Sequence, residues 1–79
     1  MKLLITYPDQ ELTLDVAWFE IETPAGSFII HEGHAPTILS LAPNRPLVVR
    51  LANGKEESIP LASGIVHITR TGASVLAGE

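Results

Sequence analysis

Apolar residues recur at every second position in short runs, and turn-forming residues cut those runs at intervals of about 8 to 12 residues. Leu3, Ile5 and Tyr7 alternate with Lys2, Leu4 and Thr6. Leu47, Val49 and Leu51 alternate with Val48 and Arg50, and Val66 and Ile68 flank His67. Side chains of an extended strand point to opposite faces in turn, so such runs have one apolar and one polar side. The breaks fall at Pro8-Asp9, Pro24-Ala25-Gly26, Glu32-Gly33, Pro43-Asn44-Arg45-Pro46, Asn53-Gly54, Ser63-Gly64 and Thr71-Gly72. No window shows helical spacing bounded by caps. The pattern predicts an all-β fold, a two-sheet antiparallel β-sandwich of about 8–10 short strands around one inner apolar layer.

Local irregularities refine this expectation. Leu14, Val16 and Trp18 share one parity, and then Phe19 and Ile21 take over. A phase slip at Trp18-Phe19 is what an inserted residue, a β-bulge, produces. Trp18 is read as the large filler of a small core. Asn53-Gly54 tolerates the positive φ angles of a tight hairpin turn. Pro60 cannot donate to a ladder, which puts the strand carrying Glu57 and Ile59 at an edge or a bulge. Ser74 to Ala77 closes the chain as a short strand.

Seventy-nine residues suffice for one domain, spanning 1–79. A chain this short buries only about 60% of its unfolded surface, and without cysteine it has no disulfide or thiolate metal site to staple it. Stability must therefore come from a very efficient core or from a partner. A hydrophobic fraction of 46% excludes disorder and implies that some apolar surface is set aside for contact. No apolar stretch approaches the roughly 18 residues of a membrane span, so no direct membrane insertion is expected. MKLLITYPDQ reads as a first strand; its apolar run is too short for a signal peptide. With no export signal and no cysteine, the reading is an intracellular location. The net charge of −4 is uneven: residues 1 to 40 set Lys2 against six carboxylates, and the rest of the chain is close to neutral. Neither half holds the basic patch that nucleic acid or anionic lipid requires.

Candidate chemistry is sparse. His31 and His34 are three apart and His67 could join them, but His31-Glu32-Gly33-His34 lies in a turn, where such spacing does not converge on one ion. The structural reading of His34 is a hydrogen bond bracing the turn before Pro36. No serine sits in a Gly-x-Ser-x-Gly elbow, no phosphate loop is present, and Glu20 and Glu22 share what reads as a solvated strand face. No catalytic residue, cofactor or metal is expected, which leaves contact surfaces.

The stretch AGSFIIHEGHAPTILSL, residues 25 to 41, resembles the signature of the N-terminal β-sandwich domain of the F-type ATP synthase epsilon subunit, whose mitochondrial counterpart is the delta subunit. The matching parts are Gly26, the strand Phe28 to Ile30, the block Gly33-His34-Ala35-Pro36 and the apolar Thr37 to Leu41. LASGIVHITRTGASVLAGE, residues 61 to 79, is similar to the family's Ser-Gly-Gly, strand, turn and Val-x-Val-Leu-Ala ending, and MKLLITYPDQEL fits its opening strand. Departures are Glu32 where proline is common, Ser27 for a frequent acidic residue, Ile65 for a second glycine, and PNRP for a Lys-Pro-Gly-type turn. The family usually continues into a C-terminal helical hairpin. This sequence stops at Glu79, as a truncated piece or a short form would.

The resemblance implies a non-catalytic subunit of the central stalk, bound to the gamma subunit and the c-ring, which couples proton flow to ATP synthesis. It implies a peripheral, membrane-associated location on the cytoplasmic side of a bacterial inner membrane. By the same resemblance, the loop at Ser27-Phe28 and the turn from His31 through Gly33 to His34 face the ring, and Pro36, Thr37, Ile38 and Leu39 lie towards gamma. Two other readings are a stand-alone adaptor that adds a strand at a sheet edge, and a small hydrolase or metal protein built on His31, His34 and His67. Pro60 and Glu56/Glu57, being edge blockers, argue against the first.

Overall fold

A computed structural model describes residues 1–78. Eight strands form: β1 (Lys2–Thr6), β2 (Glu11–Thr23), β3 (Gly26–His31), β4 (Thr37–Ser40), β5 (Leu47–Leu51), β6 (Glu56–Ile59), β7 (Gly64–Ile68) and β8 (Gly72–Ala77). Among the described residues there is no helix, so the all-β expectation and the strand number hold.

The strands follow one hydrogen-bonded path, β4-β7-β8-β1-β2-β5-β6, with β3 beside β2. The 13-residue β2 belongs to two layers. Its first half, Glu11 to Asp15, pairs with β1; its second half pairs with β3 on one side and β5 on the other. The first layer is β4-β7-β8-β1-β2 and the second is β3-β2-β5-β6. All pairs are antiparallel except β1 with β8, which run parallel and close the first layer between the two ends of the chain. The antiparallel expectation did not foresee that pair.

Alternation sets the inner face as read from the sequence. Leu3 and Ile5 of β1, Leu47 and Val49 of β5, and Val66 and Ile68 of β7 are all buried in one cluster with Phe19, Ile21, Ile30 and Val75. Burying such a side chain is worth about 1.5–3 kcal/mol, and this cluster is where the fold's stability resides.

Two local readings change. The bulge on β2 lies between Val16 and Trp18, because Val16 pairs with Leu51 while Trp18 pairs with the adjacent Arg50. Ala17 is therefore the inserted residue, and the phase slip comes before Trp18. Phe19 is fully buried, whereas Trp18 is half-buried on the outer side and fills no core. Second, the β5–β6 connection, Ala52 to Lys55, encloses a three-residue turn, Ala52-Asn53-Gly54, between Leu51 and Lys55. The Gly54 N–H donates to the Leu51 carbonyl at 2.9 Å, and the Leu51 N–H donates to the Lys55 carbonyl at 2.7 Å. Only Gly54 takes a positive φ there, +93°, the geometry of a turn followed by a glycine bulge. The Asn53 side chain accepts from the Lys55 N–H at 3.0 Å. β6 is a terminal strand of the path, and Pro60 follows it directly, as expected of an edge.

Candidate functional site

The segment from His31 to Leu39 carries the chain from the second layer to the first. β3 ends at His31, and the turn at Glu32-Gly33 follows. Gly33 adopts φ +86°, a conformation that any Cβ would penalise. Its N–H donates to the Arg70 carbonyl at 3.2 Å, which seats this turn on the β7–β8 turn, and the His34 N–H donates back to the His31 carbonyl at 3.2 Å. The His34 imidazole Nδ1 donates to the Ala35 carbonyl at 2.8 Å, the bracing bond expected before Pro36. His31, Gly33, His34 and Pro36 are exposed, so this rigid turn presents its surface to solvent.

Ser27 and Phe28 lie on strand β3, directly after the Pro24-Ala25 turn, and not in a loop. That turn is closed from within. The Thr23 hydroxyl, buried, donates to the Gly26 carbonyl at 3.0 Å and accepts from the Ala25 N–H at 3.1 Å. Ser27 donates to Glu22 at 2.7 Å, and Phe28, 43% exposed, sits opposite Ile21. Ser27 and His31 are separated by four steps of β3, about 13 Å at strand rise. The two segments assigned to the ring thus lie at opposite ends of one strand.

Thr37, Ile38 and Leu39 form most of β4, the edge of the first layer. Leu39 opposes Val66 and packs on the core, whereas Ile38, opposite His67, is 66% exposed. Ile38 belongs to a patch that the sequence reading missed. On the same outer face, Ile65 of β7 stands directly opposite Leu76 of β8, and these are 48% and 62% exposed. Ser40, His67, Ser74, Leu4 and Thr6 occupy the neighbouring outward positions, so the patch holds no carboxylate, lysine or arginine. Alternation does assign Ile65 and Leu76 outward, since Val66, Val75 and Ala77 point in. Their adjacency depends on the β7–β8 register, which no local signal specifies.

The arrangement offers little chemistry. His31 pairs with Trp18 on the outside of the second layer, while His67 lies between Ile38 and Ser74 on the outside of the first. Among the described residues no group of three or more His, Cys, Asp or Glu could hold a metal ion. Three shallow depressions ring the end of the sandwich formed by Tyr7 to Asp9, Asn44 to Pro46, Pro60 to Ile65 and Leu76 to Gly78. Their linings place no general base beside a nucleophile. Among the described residues no helix is long and apolar enough to cross a membrane.

The family model for the ATP synthase, Delta/Epsilon chain, beta-sandwich domain matches residues 1–79. The chain belongs to this ATP synthase delta/epsilon family. Its strands superpose on a chain in the Euglena gracilis mitochondrial ATP synthase structure that holds OSCP, F1 and c-ring, with TM-score 0.84 and 25% identity over 95% of this chain and 48% of that one. The central stalk/c-ring structure of the Tetrahymena thermophila mitochondrial ATP synthase contains a chain of the same fold, with TM-score 0.84 and 16% identity over 100% of this chain and 63% of that one. The chain thus spans about half to under two-thirds of these two relatives. No curated protein matches it in sequence. Within this family the resemblance read from Gly33-His34-Ala35-Pro36 holds, and the β-sandwich is the family's own fold.

Proposed function

We propose that this protein is a non-catalytic subunit of the central stalk of a proton-translocating F-type ATP synthase. In this reading it binds the gamma subunit and the c-ring, and couples proton flow to ATP synthesis. The observation that carries the reading is the family match across residues 1–79. The surface supports it. The charge-free patch of Ile38, Ile65 and Leu76 adjoins the rigid turn at Gly33-His34-Pro36, which suits a protein partner better than a small ligand or nucleic acid.

The mechanical requirement of a rotor part is stiffness. A close-packed interior is poorly compressible, so torque passes through it with little strain lost. Ser27, Phe28, His31, Gly33 and His34 are the residues assigned to the ring, and Pro36, Thr37, Ile38 and Leu39 those assigned to gamma. Because Ser27-Phe28 and His31-His34 lie at the two ends of β3, a ring contact using both runs along the length of that strand. The location proposed is peripheral, on the cytoplasmic side of a bacterial inner membrane. Family membership does not favour a stand-alone adaptor.

Capture of the cognate gamma subunit and of the detergent-solubilised c-ring by the purified chain tests the proposal. Binding to either, with no ATPase activity of the chain alone, is the expected result. Failure to bind both, or ATP hydrolysis by the chain alone, sinks it.

A further inference from the structure

The chain has two asparagines, Asn44 and Asn53, and only Asn53 precedes a glycine. An asparagine in that position is chemically labile, because glycine has no side chain to keep its amide nitrogen away from the preceding carboxamide. Asn53 and Gly54 are both exposed, and a Cβ built on Gly54 would meet nothing within 4 Å, so water reaches the pair freely. The folded turn nevertheless ties down the groups that would react. The Gly54 N–H donates to the Leu51 carbonyl at 2.9 Å. The Asn53 side-chain oxygen accepts from the Lys55 N–H at 3.0 Å. The Arg50 guanidinium donates to the Gly54 carbonyl at 3.1 Å and is itself held by Glu56 at 2.7 Å.

We propose that Asn53 is a site of covalent self-modification, which the closed β5–β6 turn suppresses and opening of that turn releases. The Gly54 amide nitrogen bonds to the Asn53 side-chain carbonyl carbon, Cγ. The bond from Cγ to the side-chain nitrogen breaks, and that NH2 leaves as ammonia with the proton from Gly54. Water then opens the five-membered imide. Cleavage at Cγ gives aspartate; cleavage at the backbone carbonyl gives isoaspartate, whose main chain is longer by one methylene. Either product places a carboxylate in the turn before Glu56 and Glu57, and the isoaspartyl chain cannot re-form the same turn. Reaction from an opened state follows the population of that state, so Arg50 acts as a positioning residue that lowers it. The proposal does not depend on the rotor reading.

Peptide mapping by mass spectrometry on the purified full chain at neutral pH tests it, with isoaspartyl methyltransferase labelling to separate the two products. In denaturing urea, modification is expected at Asn53 and not at Asn44. In the folded chain it should be slower by about tenfold or more, since several hydrogen bonds must break first. Asn53→Gln should abolish it. Arg50→Ala should speed the folded-state reaction several-fold. Ile68→Val, a substitution in the buried core of β7, weakens the domain without touching the turn and should speed it less for the same loss of global stability. Circular dichroism establishes that each variant is folded. Equal rates in the folded and unfolded chain overturn the proposal, as does an unreactive Asn53 in urea. So does an Arg50→Ala chain that reacts no faster than an Ile68→Val chain of matched stability, which would make global unfolding the gate.

Discussion

The Arg50 guanidinium stands 5.8 Å from the centre of the Trp18 ring, on the outside of the second layer. The two residues are register partners on β5 and β2, and the row continues to Glu56, whose carboxylate accepts from Arg50 at 2.7 Å. Arg50 also donates to the Gly54 carbonyl at 3.1 Å, tying the β5–β6 loop to the same group. One planar cation thus serves a ring, a carboxylate and a turn. A lysine, with a single point charge, cannot reproduce this.

Removing either half of that contact is expected to destabilise the fold modestly. The exposed ion pair with Glu56 contributes little by itself, and a cation–π contact at such a site is worth about 0.5–1 kcal/mol. Arg50→Ala is expected to cost about 1–2 kcal/mol, since the hydrogen bond to Gly54 and the packed stem are lost as well. In urea denaturation, a Trp18→Leu/Arg50→Ala double-mutant cycle should show a coupling energy. Strict additivity would mean that the stacking contributes nothing.

The corrected position of the bulge makes the neighbouring pair of aromatics a sharp contrast. Phe19 is fully buried, so Phe19→Ala leaves a cavity and is expected to cost about 3–5 kcal/mol. That is a large share of what a small domain has. Trp18→Ala, on the outer face, should cost less than half as much. Equal costs, measured by thermal or chemical unfolding, would contradict the assignment of Phe19 as the core residue.

Two glycines are required for different reasons. A Cβ on Gly72 would come within 2.7 Å of the Lys2 carbonyl oxygen, at the start of the parallel β1–β8 pair. Gly72→Ala should therefore cost about 1–3 kcal/mol through forced separation of backbones. Gly33 has open space around it but a left-handed φ of +86°. Gly33→Ala should cost about 1–2 kcal/mol, and Gly33→Asn, which tolerates that conformation, should recover part of it. At Gly72, asparagine should give no such recovery.

The apolar outer patch gives a prediction separable from stability. Ile38→Asp, Ile65→Asp and Leu76→Asp each change a side chain that is about half exposed or more in the free chain. They should leave its unfolding midpoint nearly unchanged and weaken capture by the gamma subunit by about 1–3 kcal/mol where an anchor is hit. Titration calorimetry measures this. Unaltered affinity in all three would remove the patch from the interface. Leu39 is a poorer probe, because it also packs on the core.

What could be read in advance follows the range of the underlying interactions. Alternation is local, so the inward set Leu3-Ile5, Leu47-Val49 and Val66-Ile68 was legible, as was the edge character of the strand before Pro60. Trp18 was misread because its parity with Leu14 and Val16 is broken by Ala17, and only the pairing with Arg50 on β5 reveals that break. The parallel β1–β8 pair joins the two ends of the chain, and nothing in either segment announces its direction. The turn at Gly33 to Pro36 was visible through its glycine and proline. The Ile65–Leu76 contact was not, because it is a property of register.

β2 passes without interruption from one layer to the other. Two sheets held together by side-chain contacts alone can slip past one another under shear once those contacts yield. Here the layers share a covalent spine, and lateral slippage at that corner would have to stretch or reorient peptide bonds. A load entering at the β4 rim therefore reaches the β3 hairpin through main chain as well as through the oily interior, with little backlash between the two.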